Sequence, residues 1–196
     1  RYTIVDLSGA LRERQRATLD AHADRVHWVD ALPERMNGVV VGNEVLDAMP
    51  VKLLARHGGQ QSGVWHERGV VVAEDGRFAW ADRPTDLRPP IDIEGEHDYL
   101  TEIHPQAEAF ITSLAERLLA GKGGAAFFLD YGFPEAEYFH PQRHMGTVMC
   151  HQLHQADDNP LLAVGQKDIT AHVNFTGVAL AAQNAGLAVL GYASQA

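Results

Sequence analysis

Cysteine is nearly absent from this sequence: Cys150 is the only one in 196 residues. No internal disulfide can form, so nothing ties the chain to an oxidising compartment, and a cytoplasmic location is expected. Positive charge is scarce as well, with 16 Lys and Arg against 26 Asp and Glu and a formal net charge of −10. Binding to nucleic acid needs clustered cations that displace counterions from phosphates, so no nucleic-acid partner is expected. No apolar run reaches the roughly 18 residues that a membrane-spanning helix requires. An initiating methionine and a charged-then-apolar leader are both missing. Arg1-Tyr2-Thr3 opens directly into a strand-like run, and LAVLGYASQA stops just after another. The expectation is that both ends cut through a fold and that the chain is a piece of a longer protein. What the sequence does have is 45% apolar residues over a length that fills one core.

Strand-like and helix-like segments alternate. Residues 2–7 read as a strand of the buried type, and Ser8 as the N-cap of a helix over 10–21 that puts Leu11, Gln15 and Leu19 on one face. Short strands come next at 26–29 and 39–41. Residues 62–81 change character: VWHERGVVVAEDGRFAW alternates around Asp75-Gly76, a turn pair, which predicts an inserted antiparallel β-meander. Its Trp65, Phe78 and Trp80 suit either a small core or a face for a protein partner. Residues 82–90, with three prolines, read as loop. HPQAEAFITSLAERLLAGKGG is the clearest helix, with Ala107, Phe110, Ile111, Leu114 and Leu118 at helical spacing, Pro105 in the first turn and Gly121 and Gly123 at the exit. AAFFLDYG is then expected as a fully buried strand. Residues 133–165 read as a polar lid or substrate loop containing a strand-like GTVMCH. Thr176 is expected to cap a last helix, with Phe175 and Leu180 as a hydrophobic staple, ahead of a final strand, LAVLGY.

Alternation of this kind predicts an α/β fold with a parallel sheet, in which ligands gather at the carboxyl ends of the strands. The apolar strands here end in acids or amides: Asp6, Asp30, Asn43 with Glu44, and Asp130. One reading is that these groups line a ligand crevice; the other is that each caps the next helix. Taken as a set they favour the crevice. His140, His144, Cys150, His151 and His154 crowd into one stretch, and zinc favours such ligands. Pro141 and Gly146 break any helix that would align them, however, and no metal site is expected. Cys150 and His151, adjacent on a strand, point to opposite faces and make a poor nucleophile pair. His172 reads as a hydrogen-bonded structural histidine.

The segments IVDLSGALRERQ, GNEVLDAMPV, E-x-x-P-x-A-E beginning at Glu102 and leading into FFLDYG, GTVMCHQLHQ and GQKDITAHVNF, in that order, resemble the MidA family of S-adenosylmethionine-dependent methyltransferases. The resemblance covers nearly the whole chain outside the meander; DITAHVNF and NEVLDAMP are its most specific parts. It implies a Rossmann-like class I methyltransferase fold and S-adenosylmethionine as cofactor. For the family's mitochondrial members, which assist assembly of a respiratory complex, it implies dimethylation of an arginine on a respiratory subunit. The glycine-rich GxGxG turn of the family's first strand is found nowhere in this chain, so that N-terminal strand is expected to be missing from it.

Residue by residue, Asp6, with Leu7 and Ser8 beside it, stands where a carboxylate accepts hydrogen bonds from ribose hydroxyls. The resemblance places adenine at the next strand end, at Asp30 and Ala31. Asn43 then lies between cofactor and acceptor, and Asn43, Glu44 and Asp47 are the catalytic candidates, Glu44 first, with Asp47 one helical turn from Asn43 if a helix starts at Val45. An arginine side chain spreads its charge over three nitrogens, and carboxylates that pair with two of them orient the third. Positioning is a larger demand there than basicity. An alternative is a protein-binding or assembly module on the same fold, or transfer to a small molecule.

Overall fold

The computed structural model describes residues 1–59, 63–153 and 155–195. Ser62 of the expected meander and His154 of the histidine cluster lie outside them. The chain is α/β, with parallel and antiparallel sheets. Strand β1 (Tyr2–Val5) leads to helix α1 (Gly9–Thr18), a short 3-10 turn (Asp20–His22) and strand β2 (Val26–Val29), which pairs parallel to β1. Ser8 caps α1 through its side chain, as the sequence indicates. The expected apolar face of α1 is not buried, however: no residue of the helix is, and Gln15 instead uses its amide to join Asp6 to the Trp28 indole. Residues 30–36 cross to the next strand without a helix, as expected of so short a link.

Strand β3 (Asn37–Asn43) pairs parallel with β8 (Gly123–Leu129), residue 43 opposite residue 129. Between them in sequence lies a four-stranded antiparallel sheet of β4 (Lys52–Arg56), β5 (Trp65–Val72), β6 (Phe78–Pro84) and β7 (Tyr99–Ile103), in the order β6-β5-β4-β7. The β5–β6 hairpin turns at Asp75-Gly76, with Gly76 at positive φ. The sheet is wider than the anticipated 62–81 insertion, because KLLAR and YLTEI flank the hairpin and complete it. Helix α2 (Pro105–Ala120) buries Ala107, Ile111, Leu114, Ala115 and Leu118. It packs against α4 (Phe175–Asn184) and one face of β8, where Leu46, Ala107, Ile111 and Val173 form a core with Phe110 and Phe128 at its edge.

Several expectations give way here. The other face of the β3–β8 pair is bare: Val39 is 69% and Val41 64% exposed, and Phe127 and Leu129 lie beside them on that face. Neither strand is therefore fully buried. Residues 133–165 hold the end of β9 (Gly132–Phe133), helix α3 (Glu135–Tyr138) and the strands β10 (Met149–Gln152), on the strand-like GTVMCH, and β11 (Gln155–Asp157); β12 (Asp168–Thr170) joins β10 on its other side. Strand β13 (Val173–Asn174) pairs parallel with β9. The cap of α4 is Asn174, whose side chain accepts from Gly177 N–H, because Thr176 Oγ1 is already taken by the N–H of Glu135. Residues 187–192 form no strand.

A buried network fixes the second half of the chain. Glu102 on β7 is 0% exposed and accepts from Tyr138 OH, from the N–H and hydroxyl of Thr147, and from Val148 N–H. His104 Nε2 lies 3.0 Å from the same Tyr138 hydroxyl. Burial pushes the His104 pKa down from 6.5 to about 4, so the folded chain holds it neutral. Between those values the unfolded state binds more protons than the folded one. Stability is thus fully present above 6.5 and is lost as pH falls toward 4, by roughly 3 kcal/mol at most. Melting temperatures measured across that range should fall with pH in the wild type and more shallowly in His104→Gln.

Candidate functional site

The parallel register of β3 and β8 brings residues 44 and 130 side by side just past the ladder, where Glu44 N–H still donates to Leu129 O at 2.9 Å. No helix starts at Val45. The chain instead turns, with Glu44 at φ +49°, and Asp130 Oδ2 accepts the N–H groups of Val45, Leu46 and Asp47 at 3.2, 2.9 and 3.4 Å. This turn, not a helical face, places Asp47 beside Glu44. The Tyr131 hydroxyl donates to Glu44 Oε1 at 3.0 Å. Asp47 is 6% exposed, and its Oδ1 is buried without a hydrogen-bond partner. Burial, then the neighbouring carboxylates of Asp130, Glu44 and Asp168, raise its pKa, opposed by a backbone N–H. Glu44, Asp47 and Asp130 form a shelf of acids with one buried oxygen left open, suited to a cation that brings its own donors.

The other predicted residues form a second group at the ends of β1 and β2. Asp6 accepts from Ser8 N–H at 2.9 Å and from Gln15 Nε2 at 2.7 Å, one donor on each oxygen. Leu7 is 82% exposed beside it, and Ala31 is exposed after Asp30. Asp30 pairs with Arg12 across the top of α1. Among the described residues no hydrogen bond or ion pair joins Asp6 and Asp30 to the shelf at Asn43, Glu44 and Asp47.

The strand-end rule leaves Asp130 and Tyr131, which the structure brings beside Glu44, without a role. Only the pairing of residue 43 with residue 129 shows that they meet Glu44, and an alignment of the two apolar runs, VVVGN with AAFFL, is the signal that carries it. Among the described residues no group of three or more His, Cys, Asp or Glu side chains is placed to hold a metal ion. Cys150 is buried, and His151 beside it is exposed. The His172 ring packs on Phe133 with its Nδ1 buried and without a partner, and its backbone N–H donates to Thr147 Oγ1 at 3.0 Å. Two recesses of about 440 and 550 Å³ meet at Trp80, between the antiparallel sheet and residues 144–163; neither includes Glu44, Asp47, Asp130 or Tyr131. Among the described residues no helix is long and apolar enough to cross a membrane.

Residues 1–193 match a family model described as "Putative S-adenosyl-L-methionine-dependent methyltransferase". The chain is similar to a COG1565 superfamily member from Burkholderia thailandensis solved bound to S-adenosyl-homocysteine, with 48% identity and a TM-score of 0.83 over 95% of this chain and 48% of that one. It is also similar to the native crystal structure of an uncharacterized protein of the same superfamily and organism, with 49% identity and a TM-score of 0.88 over 100% of this chain and 52% of that one. The chain thus spans about half the length of either. No curated protein matches it.

The raised pKa of Asp47 has a sign that can be tested. Because the folded value lies above the ordinary one, the folded chain binds the extra proton between them, and stability falls as pH rises through that interval. Ionised Asp47 therefore costs stability at neutral pH. Asp47→Asn should melt above the wild type at pH 7, with the difference closing as pH falls into the carboxylate range. A thermal-melt series of both proteins checks it.

Proposed function

This chain belongs to the methyltransferase family just described, and from that premise we propose that it serves S-adenosylmethionine-dependent methylation of an arginine on a protein substrate. The observation that carries the acceptor half of this reading is the buried, unpartnered Oδ1 of Asp47 within a shelf of carboxylates. Leaving a buried carboxylate oxygen unpaired is costly, and a guanidinium supplies five N–H donors in a plane that matches carboxylates. Glu44 and Asp47 would orient the guanidinium, with Asn43 at the junction. A respiratory-complex subunit is the protein acceptor that the family resemblance suggests, and a cytoplasmic location belongs to the same reading.

S-adenosylmethionine, when bound, supplies a sulfonium methyl. The residues at the β1 and β2 ends fit its nucleoside part. Each Asp6 oxygen keeps a lone pair after its one donor and can accept from ribose hydroxyls. Asp30 and Ala31, exposed at the next strand end, offer an acceptor and an N–H for adenine, and Leu7 and Ser8 border the same edge. We read β1–β2 and β3–β8 as flanks of one Rossmann-like sheet, with the glycine-rich strand belonging between them. The edges of β1 and β3 that have no neighbouring strand among the described residues support that reading.

Calorimetric titration of the full-length protein with S-adenosylhomocysteine tests the first half, and absence of binding would favour a protein-binding or assembly module. Asp6→Ala should weaken that binding about ten- to a hundred-fold, as loss of hydrogen bonds to a charged acceptor predicts. Glu44→Gln should leave cofactor affinity and melting temperature unchanged. Its transfer of labelled methyl to proteins of a soluble extract, read as methylarginine after hydrolysis, should fall roughly a hundred- to a thousand-fold. A lowered melting temperature with normal transfer would reduce Glu44 to a structural residue.

A further inference from the structure

We infer that Asp130 and Tyr131 are positioning residues that set Glu44 in both its degrees of freedom, Asp130 through the backbone and Tyr131 through the side chain. The inference rests on the acceptor role proposed above for Glu44. A non-glycine residue with φ near +49° adopts a conformation that L side chains visit at a cost, and it persists only where the surroundings hold it. Glu44 N–H to Leu129 O holds one side of this turn, and one oxygen holds the other. Asp130 Oδ2 takes three consecutive N–H groups, those of Val45, Leu46 and Asp47, as an anion in a backbone nest. Oδ2 is thereby taken up by the turn, and Oδ1 accepts from Tyr131 N–H at 3.0 Å. The position of Asp130 is set by the ladder: it is the first residue past the last pair on β8, as Glu44 is on β3.

Tyr131 is anchored from both sides by the same construction. Its N–H bonds Asp130, and its carbonyl accepts Val173 N–H at 2.7 Å. Gly132 makes that approach feasible, since a Cβ there would run into the Val173 carbonyl. With its backbone fixed, the phenol reaches Glu44 Oε1 at 3.0 Å while the residue stays 58% exposed. One oxygen of Glu44 is thereby tied and the other left for the acceptor. The tripeptide DYG thus divides its labour: Asp130 shapes the turn, Tyr131 aims the carboxylate, and Gly132 admits the neighbouring strand.

Full-length Asp130→Ala, Asp130→Asn and Tyr131→Phe are compared with the wild type in three measurements. These are amide hydrogen exchange by mass spectrometry over residues 43–49, S-adenosylhomocysteine affinity by calorimetry, and labelled methyl transfer to a soluble protein extract. Asp130→Ala should speed exchange of the three amides about tenfold or more, keep cofactor affinity, and lower transfer roughly a hundredfold, the loss that misplacement of a reacting group brings. Asp130→Asn, whose amide oxygen can take the three turn amides while its NH2 gives up the bond from Tyr131 N–H, should restore protection over residues 43–49 and part of the transfer. Tyr131→Phe should leave exchange and cofactor affinity unchanged and lower transfer about tenfold, as loss of one hydrogen bond to a charged group predicts. Unchanged exchange in Asp130→Ala overturns the backbone role. An Asp130→Asn protein with protection restored over residues 43–49, unchanged exchange at residue 131 and transfer still lost overturns positioning, since charge at residue 130 would then be required directly. Wild-type transfer in Tyr131→Phe overturns the side-chain role, and this variant and Asp130→Asn keep the inference testable where Asp130→Ala does not fold. A wild type that binds no S-adenosylhomocysteine and transfers no methyl overturns the proposed function, whereas the exchange result then still decides whether Asp130 holds the turn.

Discussion

A single carboxylate oxygen, Oδ2 of Asp130, gathers three backbone N–H groups from a turn 83 to 85 residues away in sequence. Each of those amides would otherwise need water, and the turn they belong to would be free to relax into a conformation with negative φ. Held as it is, the turn sends Leu46 into the core against α2 and leaves the Asp47 carbonyl free to accept Ala171 N–H at 2.9 Å. That bond delivers the chain to Val173, which pairs beside Gly132 and so closes the loop back onto Tyr131. The acid shelf, the last helix and the β9–β13 contact all hang from one anion.

Two buried acids in this chain show how burial alone misleads. Glu102 is wholly enclosed and receives four donors, two of them backbone amides, so its lone pairs are spent on the fold. Asp47 is almost as enclosed and has an oxygen that nothing meets. The first is what a structural carboxylate looks like in a low-dielectric interior; the second is a group whose complement comes from elsewhere. The difference separates the network under the antiparallel sheet from the site at the end of the parallel pair, and no count of acidic residues would have drawn it.

Asn43 and Glu44 were legible as strand-end residues because parallel strands present what lies just past their carboxyl ends, and the apolar run VVV marks its own end; Asp47 was placed by a helix at Val45 that does not form, and its turn is held by a residue 83 positions away. Asp130 was legible only as another strand end, since its partners sit across a ladder whose register is a long-range property. Local competition decided other details. Asn174 rather than Thr176 caps the last helix because Thr176 is engaged by Glu135, and α1 turns Gln15 inward because Asp6 and Trp28 both need a polar partner. The strands 52–56 and 99–103 were hidden for the same reason as the partners of Asp130: each is short, and each becomes a strand by pairing with the other, more than forty residues away. Residues 187–192 have strand composition and no ladder, and composition without a partner makes no strand.

Val39, Val41, Phe127 and Leu129 stand together on one side of a two-stranded ladder, beside backbone edges with no neighbour among the described residues. Apolar area next to unpaired N–H and C=O groups is the surface on which foreign strands add. For these 196 residues handled alone, the colloidal consequence is self-association that grows with concentration and with warming, as hydrophobic contacts do. A net charge of −10 opposes it at low ionic strength, and added salt removes that protection by screening.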